Sequence, residues 1–414
     1  MRWTPVLLLL LGLPGPVTRS PPPPVERVVA NDNRTPAGRL VDGVLTLHLD
    51  VRLGEWFPED SNGPSVILPM LAEAGGPPTA PGPLIRVPAG TWLDVTVTNQ
   101  LADTGVTIFG LSERPTSGPD SVRLAPGASQ RIHFRAGAPG TYLYGARTET
   151  RPYIRDQALE ESQLGGAFVI DRPGAPVADR IFVINIWSEP DDPAGDSTVV
   201  LRNVLAINGR SWPYTERLQF TVGDSAHWRI VNASRRVHPM HLHGFYYRVT
   251  GLGTAAHDSA YLPEDQRLVV TESMLPLSTM AMALQAREEG NWLFHCHLIY
   301  HVGPGAALTW PDGSAAMAHD GVQHMAGLVL GLAVAPGPAP APRVNPAKRR
   351  LVVREAPRVG SSTGFVMSYA VGEGETTAPV VLPAPPLFLT RGVPTDVTVI
   401  NHLDVPTGVH WHGL

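Results

Sequence analysis

The stretch Asp94–Leu111, with the sequence DVTVTNQLADTGVTIFGL, carries the clearest indication of the fold. Apolar and polar residues alternate along its first part, and Asn, Asp and Gly follow, which is typical of a β-strand that ends in a turn. Similar alternating runs, separated by turn residues, lie at Val44–Val51, Trp92–Thr98, Gln130–Phe134, Arg180–Ile186, Ala226–Val231 and Asp396–Ile400. The sequence therefore predicts an all-β protein built from antiparallel β-sandwiches.

The same stretch recurs at Asp396–Leu414, which reads DVTVINHLDVPTGVHWHGL. A weaker version, TVGDSAHWRIVNASRRVHPMHLHG, starts at Thr221 and has Asn232 in the equivalent place. A second repeated segment closes two of the units, as GTYLYGAR at Gly140–Arg147 and as GNWLFHCH at Gly290–His297. Repeats of this kind indicate three related structural units.

The repeats and two Pro-rich stretches divide the chain into five parts. Residues 1–20 are interpreted as a signal peptide, 25–173 as a first unit, 174–335 as a second, 336–350 as a linker and 351–414 as the start of a third. The signal peptide follows from Arg2 and a Leu-rich run that is too short to span a bilayer. The third unit stops in the middle of its pattern at Leu414, so we expect a longer natural chain.

Composition limits the classes of function that the chain can have. Of its 414 residues, 43% are apolar, which is enough for proper cores, while 43 Pro and 41 Gly favour turns and short strands. The net charge is −5 and the basic residues are scattered, so the sequence favours neither nucleic-acid binding nor membrane binding. Without a later membrane segment, we expect a soluble protein that is secreted or periplasmic.

Eight histidines and the single cysteine fall in three short motifs, HPMHLHGF from His238, HCHLIYH from His295 and HWHG from His410. In a strand, the two imidazoles of H-x-H lie on one face, about 6.5–7 Å apart, and the middle residue points to the other face. Cys296 can therefore bind one metal while His295 and His297 face another. A thiolate, two imidazoles and a weak thioether form a blue copper site, whereas structural zinc prefers one closed site of four ligands.

These motifs resemble the copper-binding signatures of the multicopper oxidases, the family of laccases, bilirubin oxidases and ceruloplasmin. The resemblance implies tandem cupredoxin-like Greek-key β-sandwich domains over nearly all of the chain that follows the signal peptide. It also implies a copper-dependent enzyme that couples one-electron oxidation of a phenol, an aromatic amine or a metal ion to the four-electron reduction of O₂ to water. The complete protein of this family holds up to four copper ions, as type 1, type 2 and binuclear type 3 copper.

Carried over by position, the resemblance implies a role for each motif residue. Cys296 and His301 are the expected route of the electron, which would enter at an exposed edge of His301. The implied ligands are His238, Cys296 and His301 for type 1 copper, His241 and His410 for type 2 copper, and His243, His295, His297 and His412 for the type 3 pair.

Two departures from the family pattern affect these expectations. The axial position of the type 1 site falls on Ala306, but the family's usual ending reappears later as HMAGLVLGLAV. We therefore interpret residues 306–324 as an inserted loop and Met325 as the axial ligand. The first unit has lost its ligands, because its equivalent positions are Thr107, Phe109, Gly145 and Arg147.

The trinuclear cluster of the family needs eight histidines, and this sequence supplies six. The missing H-x-H pair is expected beyond Leu414, so the 414 residues alone are expected to show the blue absorption without four-electron reduction of O₂ and thus to be inactive as an oxidase. The HCH unit also precedes the HWHG unit, so the cluster forms either within one chain or between the subunits of a homo-oligomer, and the sequence leaves both open.

Two other functions remain as alternatives at this point. One is a non-catalytic cupredoxin that stores or shuttles copper, although a carrier needs only one site. The other is a copper nitrite reductase of the same fold, although such enzymes lack the HCH doublet.

Overall fold

The computed structural model describes residues 25–118, 120–149, 153–154, 157–174, 178–190, 201–303, 308, 325–337, 345–357, 365–372 and 383–411. Within these residues, the regular structure is β apart from two short 3₁₀ turns, Ser162–Leu164 and Ile299–His301. The prediction of an all-β protein is confirmed. The predicted signal peptide lies outside the described residues. In the described part of the chain, no helix has the length and apolar character needed to cross a bilayer.

Two sheets and a small hairpin form the first unit. Its strands are β1 (Glu26–Arg27), β2 (Val29–Ala30), β3 (Arg39–Val41), β4 (Val44–Trp56), β5 (Val66–Glu73), β6 (Pro78–Ala80), β7 (Ile85–Pro88), β8 (Trp92–Asn99), β9 (Val106–Phe109), β10 (Ser121–Leu124), β11 (Ser129–Arg135), β12 (Gly140–Thr148), β13 (Tyr153–Ile154), β14 (Gln157–Ala158) and β15 (Gly165–Asp171). One sheet has the order β11-β8-β4-β5-β6-β2, with β1 and β3 added to β4, and the other has the order β10-β9-β12-β15-β7. Buried side chains from both sheets, such as Leu47, Val95 and Phe168, form one core.

The second unit repeats this two-sheet architecture. Its strands are β16 (Arg180–Pro190), β17 (Leu201–Ile207), β18 (Arg217–Thr221), β19 (Ser225–Asn232), β20 (His238–Leu242), β21 (Tyr247–Thr254), β22 (Asp258–Ala260), β23 (Arg267–Val269), β24 (Thr271–Met274), β25 (Ser278–Gln285), β26 (Gly290–Cys296) and β27 (Val329–Ala335). One sheet runs β17-β16-β19-β25-β21-β22, with β23 paired to β21, and the other runs β18-β27-β26-β20-β24. Its core includes Trp228, Phe294 and Cys296.

The third unit has one sheet among the described residues, with the order β29-β28-β30. Its strands are β28 (Ala347–Pro357), β29 (Phe365–Gly372) and β30 (Thr395–Asn401). Strand β28 begins at Ala347, inside the predicted linker 336–350, and the division of the chain into domains stays a prediction. The run KRRLVV, residues 348–353, is part of β28, and its Leu351 and Val352 side chains are buried.

The three units share one strand arrangement. In each unit, the strand of the sequence repeat pairs in parallel with an earlier strand, as β8 with β4, β19 with β16 and β30 with β28. The facing residues are 48 positions apart in every case, namely Val44 and Trp92, Arg180 and Trp228, and Ala347 and Thr395. The repeat found in the sequence is therefore a repeat of the fold.

The same asparagine turn closes that strand in all three units. Oδ1 of Asn99, Asn232 and Asn401 accepts a hydrogen bond from the backbone N–H two residues later, at 3.0–3.1 Å. Nδ2 of the same residues donates to a carbonyl four or five residues later, at 2.8–2.9 Å. Asparagine suits this position because its short amide can bond to the backbone on both sides of a turn.

The first two units pack against each other through apolar side chains. One cluster joins Leu143 and Val169 of the first unit to Ile181 and Val231 of the second. A second cluster joins Trp56 and Met70 to Trp187, and it includes Leu308. The two sandwiches are thus held together by burial of apolar surface, with charged pairs such as Arg86 and Asp179 beside it.

Candidate metal centres

Two neighbouring strands of the second unit carry most of the motif residues. Strands β20 and β26 are antiparallel partners, and Met240 faces Cys296 while His241 faces His295. Side chains alternate between the two faces of a strand, so Cys296 is directed to one face and His295 to the other. Strand β26 ends at Cys296, and the 3₁₀ turn Ile299–His301 then returns His301 to the cysteine side.

The first group of donor atoms lies in the apolar interior. Cys296 Sγ is 3.6 Å from Nδ1 of His238 and 3.4 Å from Nδ1 of His301, and all three side chains are buried. Metal bonds of about 2.0–2.3 Å in a trigonal arrangement place such donors about 3.6 Å apart. These three residues therefore fit one metal ion, and the donor set suits copper.

Burial controls the protonation of this group. It raises the pKa of the Cys296 thiol to about 11 and lowers the pKa of His301 to about 4. Burial also holds the pKa of His238 well below its usual value, with smaller effects from His301 and Arg236. Both imidazoles are therefore neutral at pH 7, with a lone pair for a metal, whereas the thiol needs a cation nearby to lose its proton.

A hydrogen-bonded chain orients the ring of His238. Its Nε2 lies 2.8 Å from Oγ of Ser234, and that hydroxyl donates to Oδ1 of Asn232 at 2.8 Å. Because the Ser234 hydroxyl donates its proton to Asn232, its oxygen accepts the hydrogen bond from Nε2–H of His238. This tautomer leaves Nδ1 of His238 without a proton on the side of Cys296.

The expectation that His301 has an exposed edge is wrong, because the residue is 0% exposed. The 3₁₀ turn directs its ring inward, while Ile299 and Tyr300 remain 75% and 63% exposed. The Tyr300 ring packs edge-on against the His301 ring with 4.5 Å between their centroids. Nε2 of His301 is buried and has no hydrogen-bond partner within the described ranges.

The second group of donors contains imidazoles only. Rings of five histidines lie with centroids 4.5–6.1 Å apart, and they are His241, His243, His295, His297 and His410. Their nitrogens form two overlapping groups that could each hold a metal, one of which joins His241 and His297 to His410. The structure thus brings His410 of the third unit against the second unit of the same chain. His412 lies outside the described residues.

Backbone carbonyls orient two rings of this second group. Nδ1 of His241 donates to the Val270 carbonyl at 2.8 Å, and Nδ1 of His295 donates to the Cys296 carbonyl at 2.8 Å. The Nε2 atoms are then directed at the other histidines, and Nε2 of His295 lies 2.9 Å from Nε2 of His243. A separation of about 2.9 Å is that of two nitrogens bound to one metal at a right angle, from bonds of about 2.0–2.1 Å.

Cys296 connects the two groups directly. Its sulfur belongs to the first group, its neighbours His295 and His297 belong to the second, and its carbonyl accepts the hydrogen bond of His295. A few covalent bonds and one hydrogen bond therefore separate the two candidate centres.

The first unit shows how the same strands look without ligands. Gly145 faces Phe109 between strands β12 and β9, and a Cβ atom at Gly145 would lie 3.0 Å from the Phe109 ring and 2.8 Å from the Leu164 carbonyl. The aromatic ring thus fills the space that imidazoles occupy in the second unit. Among the described residues, no candidate metal group includes a residue of the first unit.

The remaining sequence expectations concern the axial ligand. Met325 is half-buried and packs against the core of the second unit, which contains Cys296. Its role as the axial ligand stays a prediction. Ala306 lies outside the described residues, and of the predicted insertion 306–324 only Leu308 lies within them.

Three residues near the first group were not predicted from the sequence, namely Ser234, Arg236 and Glu160. Ser234 had a signal, because the residue two places after the repeated asparagine is leucine in the other two units, as Leu101 and Leu403. Glu160 had none, because it comes from another unit and meets the site only through folding.

Comparison with known proteins agrees with the geometry. Residues 186–315 match the family model described as multicopper oxidase. Residues 186–315 of this chain therefore form a multicopper oxidase domain. It is similar to laccase-3 of Botryotinia fuckeliana, with 32% identity over 127 residues that cover 26% of this chain and 28% of that protein.

Another relative of this chain is a probable nitrite reductase-hydroxylamine oxidoreductase fusion protein of Kuenenia stuttgartiensis. The two are 25% identical over 264 residues, which cover 56% of this chain and 27% of the relative. The matched region thus spans about a quarter of the length of these curated relatives.

A solved structure tests the fold. The blue copper oxidase from Nitrosomonas europaea superposes with a TM-score of 0.51 at 18% identity, covering 70% of this chain and 85% of that one. The prediction of cupredoxin-type sandwiches is confirmed. The multicopper oxidase match at residues 186–315 implies copper, and both donor groups fit that metal by their chemistry.

Proposed function

We propose that this protein is a copper-dependent oxidase that takes electrons one at a time from a reducing substrate and reduces O₂ to water. The observation that carries the proposal is the single short segment that contributes Cys296 to one donor group and His295 and His297 to the other. When bound, copper supplies one-electron redox chemistry that imidazole and thiol side chains lack by themselves.

The ligand roles follow from the donor groups and the family motifs. His238, Cys296 and His301 would hold type 1 copper, with Met325 as its axial thioether. Type 2 copper would lie between His241 and His410, and the type 3 pair would take His243, His295, His297 and His412. The shared group of His241, His297 and His410 supports the placement of a common cluster between the second and third units.

The surroundings of the two groups suit different tasks. The first group lies among buried apolar side chains such as Met240 and Phe294, so water is excluded and the thiolate is protected. In the second group, His297 and His410 are exposed, which leaves an open side for a small oxidant. The His295 hydrogen bond to the Cys296 carbonyl provides the short path between them.

The burial of His301 limits how a reductant can act. A substrate cannot touch the imidazole, because the residue is 0% exposed, so electrons would arrive from outside the turn that carries Ile299 and Tyr300. Phenols, aromatic amines and metal ions can all donate an electron in this outer-sphere manner. Action on such substrates outside the cytoplasm, in the secreted or periplasmic space, is consistent with the signal peptide interpreted at residues 1–20.

The test is oxygen uptake by the purified, copper-loaded full-length protein with an aromatic amine as reductant. We expect an intense blue thiolate-to-copper absorption and O₂ consumption without release of hydrogen peroxide, and a Cys296→Ser control without either the colour or the uptake. A blue protein that consumes no O₂ would support a copper carrier instead, and nitric oxide release from added nitrite would support a nitrite reductase.

A further inference from the structure

The 3₁₀ turn that contains His301 sorts its side chains into an inner and an outer side. Because such a turn has three residues per turn, Leu298 and His301 lie on the same side. Both point inward, since His301 is 0% exposed and Leu298 packs against the core that contains Cys296. Ile299 and Tyr300 fall on the outer side and are 75% and 63% exposed. Two large side chains therefore stand in solvent on the turn that carries a candidate copper ligand.

Backbone hydrogen bonds hold this turn in place from both sides. The N–H of His301 donates to the Leu298 carbonyl at 2.9 Å, and the N–H of Val302 donates to the Ile299 carbonyl at 3.1 Å. Leu328, which directly precedes β27, donates its N–H to the His301 carbonyl at 3.1 Å. A molecule that contacts the outer side therefore meets a preformed surface, and little conformational entropy is lost when it binds.

Tyr300 is in contact with both solvent and the first donor group. Its ring meets the His301 ring edge-on, with 4.5 Å between the centroids, and Nδ1 of His301 lies 3.4 Å from Sγ of Cys296. A molecule that stacks on Tyr300 therefore has one ring between it and the buried imidazole. Because His301 itself is 0% exposed, a reductant approaches the ligand by contact with Tyr300.

The chemistry of the outer side selects the kind of reductant. The segment 298–303, LIYHVG, contains no acidic or basic side chain except its one histidine, which is turned inward. Metal ions need several oxygen, nitrogen or sulfur ligands grouped around them, which an isoleucine and one phenol do not provide. An aromatic molecule, by contrast, binds favourably by stacking on the tyrosine ring and by covering exposed apolar surface.

We propose that Ile299 and Tyr300 form the docking platform for the reductant and that this reductant is an uncharged, electron-rich aromatic molecule such as an aromatic amine. The proposal rests on the proposed function, since it requires copper at His238, Cys296 and His301. After docking, the aromatic amine loses one electron and becomes a radical cation, while Cu(II) of the type 1 site gains that electron and becomes Cu(I). Tyr300 contacts the reductant and stays chemically unchanged.

The test follows the blue absorption of the copper-loaded full-length protein after anaerobic mixing with N,N-dimethyl-p-phenylenediamine at pH 8, where this amine is uncharged. The rate of bleaching should saturate as the amine concentration rises. For Tyr300→Ala we expect the amine concentration at half-maximal rate to increase about three- to tenfold, from the contribution of one aromatic pair. Tyr300→Phe keeps the ring and should stay near the wild type.

Three controls separate docking from other effects. Ferrocyanide does not stack, so it should bleach Tyr300→Ala at least as fast as the wild type. Trp92→Ala removes a ring of the first unit that is 44% exposed, and it should leave the amine dependence unchanged. The reduction potential and the wavelength of the blue absorption should be the same in the Tyr300 variants and the wild type, because the copper ligands are intact.

A binding measurement without electron transfer completes the test. Benzamide is an aromatic molecule that the protein is not expected to oxidise, and Cu(II) is paramagnetic. The ring protons of benzamide should therefore relax faster in nuclear magnetic resonance with the oxidised wild type than with oxidised Tyr300→Ala.

The outcomes discriminate between the two proposals. A blue wild type whose Tyr300→Ala variant keeps its amine dependence, or slows equally with ferrocyanide, would overturn the docking platform and leave the proposed function standing. Saturable bleaching by Fe(II) that Tyr300→Ala weakens would overturn the aromatic assignment. A copper-loaded wild type without blue absorption would overturn the type 1 assignment and this inference together.

Discussion

The first and second units share a two-sheet sandwich architecture, but among the described residues only the second carries candidate metal ligands. Both pair the repeated strand in parallel at a spacing of 48 positions, and both close it with an asparagine turn. The first unit places Gly145 under the Phe109 ring, whereas the second places histidines and a cysteine on the equivalent strands. The sandwich architecture can therefore form without metal ligands, because the core of the first unit consists of apolar side chains.

The pairing register adds a second difference. Gly145 faces Phe109 in the first unit, and in the second His295 faces His241, which aligns with Thr107 of the first unit. The two pairings are thus offset by two residues, and an even offset keeps each side chain on the same face of the sheet. The ligand face is preserved although the partners change.

The largest expected effect comes from removing the thiol that only the second unit carries. Cys296→Ser should abolish the blue absorption completely, because the thiolate-to-copper transition requires sulfur, while copper bound by the histidines of the second group is retained. Visible absorption and copper content per chain measure this. Ala146→Ser, at the matching position of the first unit, is the control and should change neither; a blue Cys296→Ser protein would refute the type 1 assignment.

Giving the second unit the residues of the first should separate the two centres. The double variant His295→Gly with His297→Arg should lose O₂ consumption to the background level, since it removes two imidazoles of the second group and adds a cation there. The blue absorption should remain, because His238, Cys296 and His301 are intact. Oxygen uptake and absorption on the same sample test this, and loss of both signals together would contradict two separable centres.

The reverse change in the first unit should destabilise it without creating a site. A side chain at Gly145 would collide with the Phe109 ring and the Leu164 carbonyl, so Gly145→His should lower the free energy of unfolding by about 1–3 kcal/mol. Urea unfolding of the metal-free protein measures the loss. The copper content should equal that of the wild type; extra bound copper would show that the first unit is closer to a metal site than its packing indicates.

The smallest effect concerns the residue that distinguishes the three asparagine turns. Ser234→Ala removes the acceptor for His238 Nε2, and loss of such a contact to a metal ligand typically weakens metal binding about tenfold or more. Competition for copper against a chelator, followed at the blue absorption, measures the change. Ser234→Thr keeps the hydroxyl and should behave like the wild type, and equal affinities for all three proteins would exclude the contact as a support of the site.

Local patterns in the sequence were sufficient to locate six of the strands and the motif residues that form the donor groups. Each of the six alternating runs lies within an observed strand, such as Trp92–Thr98 within β8, because alternation reports burial of one face directly. The start of β28 at Ala347 was not predicted, since Pro and charged residues dominate the sequence around 336–350. Patterns of this kind report the face of a residue and say little about where a strand begins.

The amino-acid sequence alone indicated that the chain is all-β and that its units repeat. It also indicated that Cys296 projects from one face of a strand while His295 and His297 project from the other. These properties depend only on neighbouring residues, because successive side chains of a β-strand point to opposite faces of the sheet. Only the tertiary structure decided that His301 is buried, that His410 meets the second unit in the same chain, and that Glu160 of one unit lies beside Arg236 of the next. Such contacts join residues far apart in the chain, and they depend on how the sandwiches pack, which no local pattern encodes.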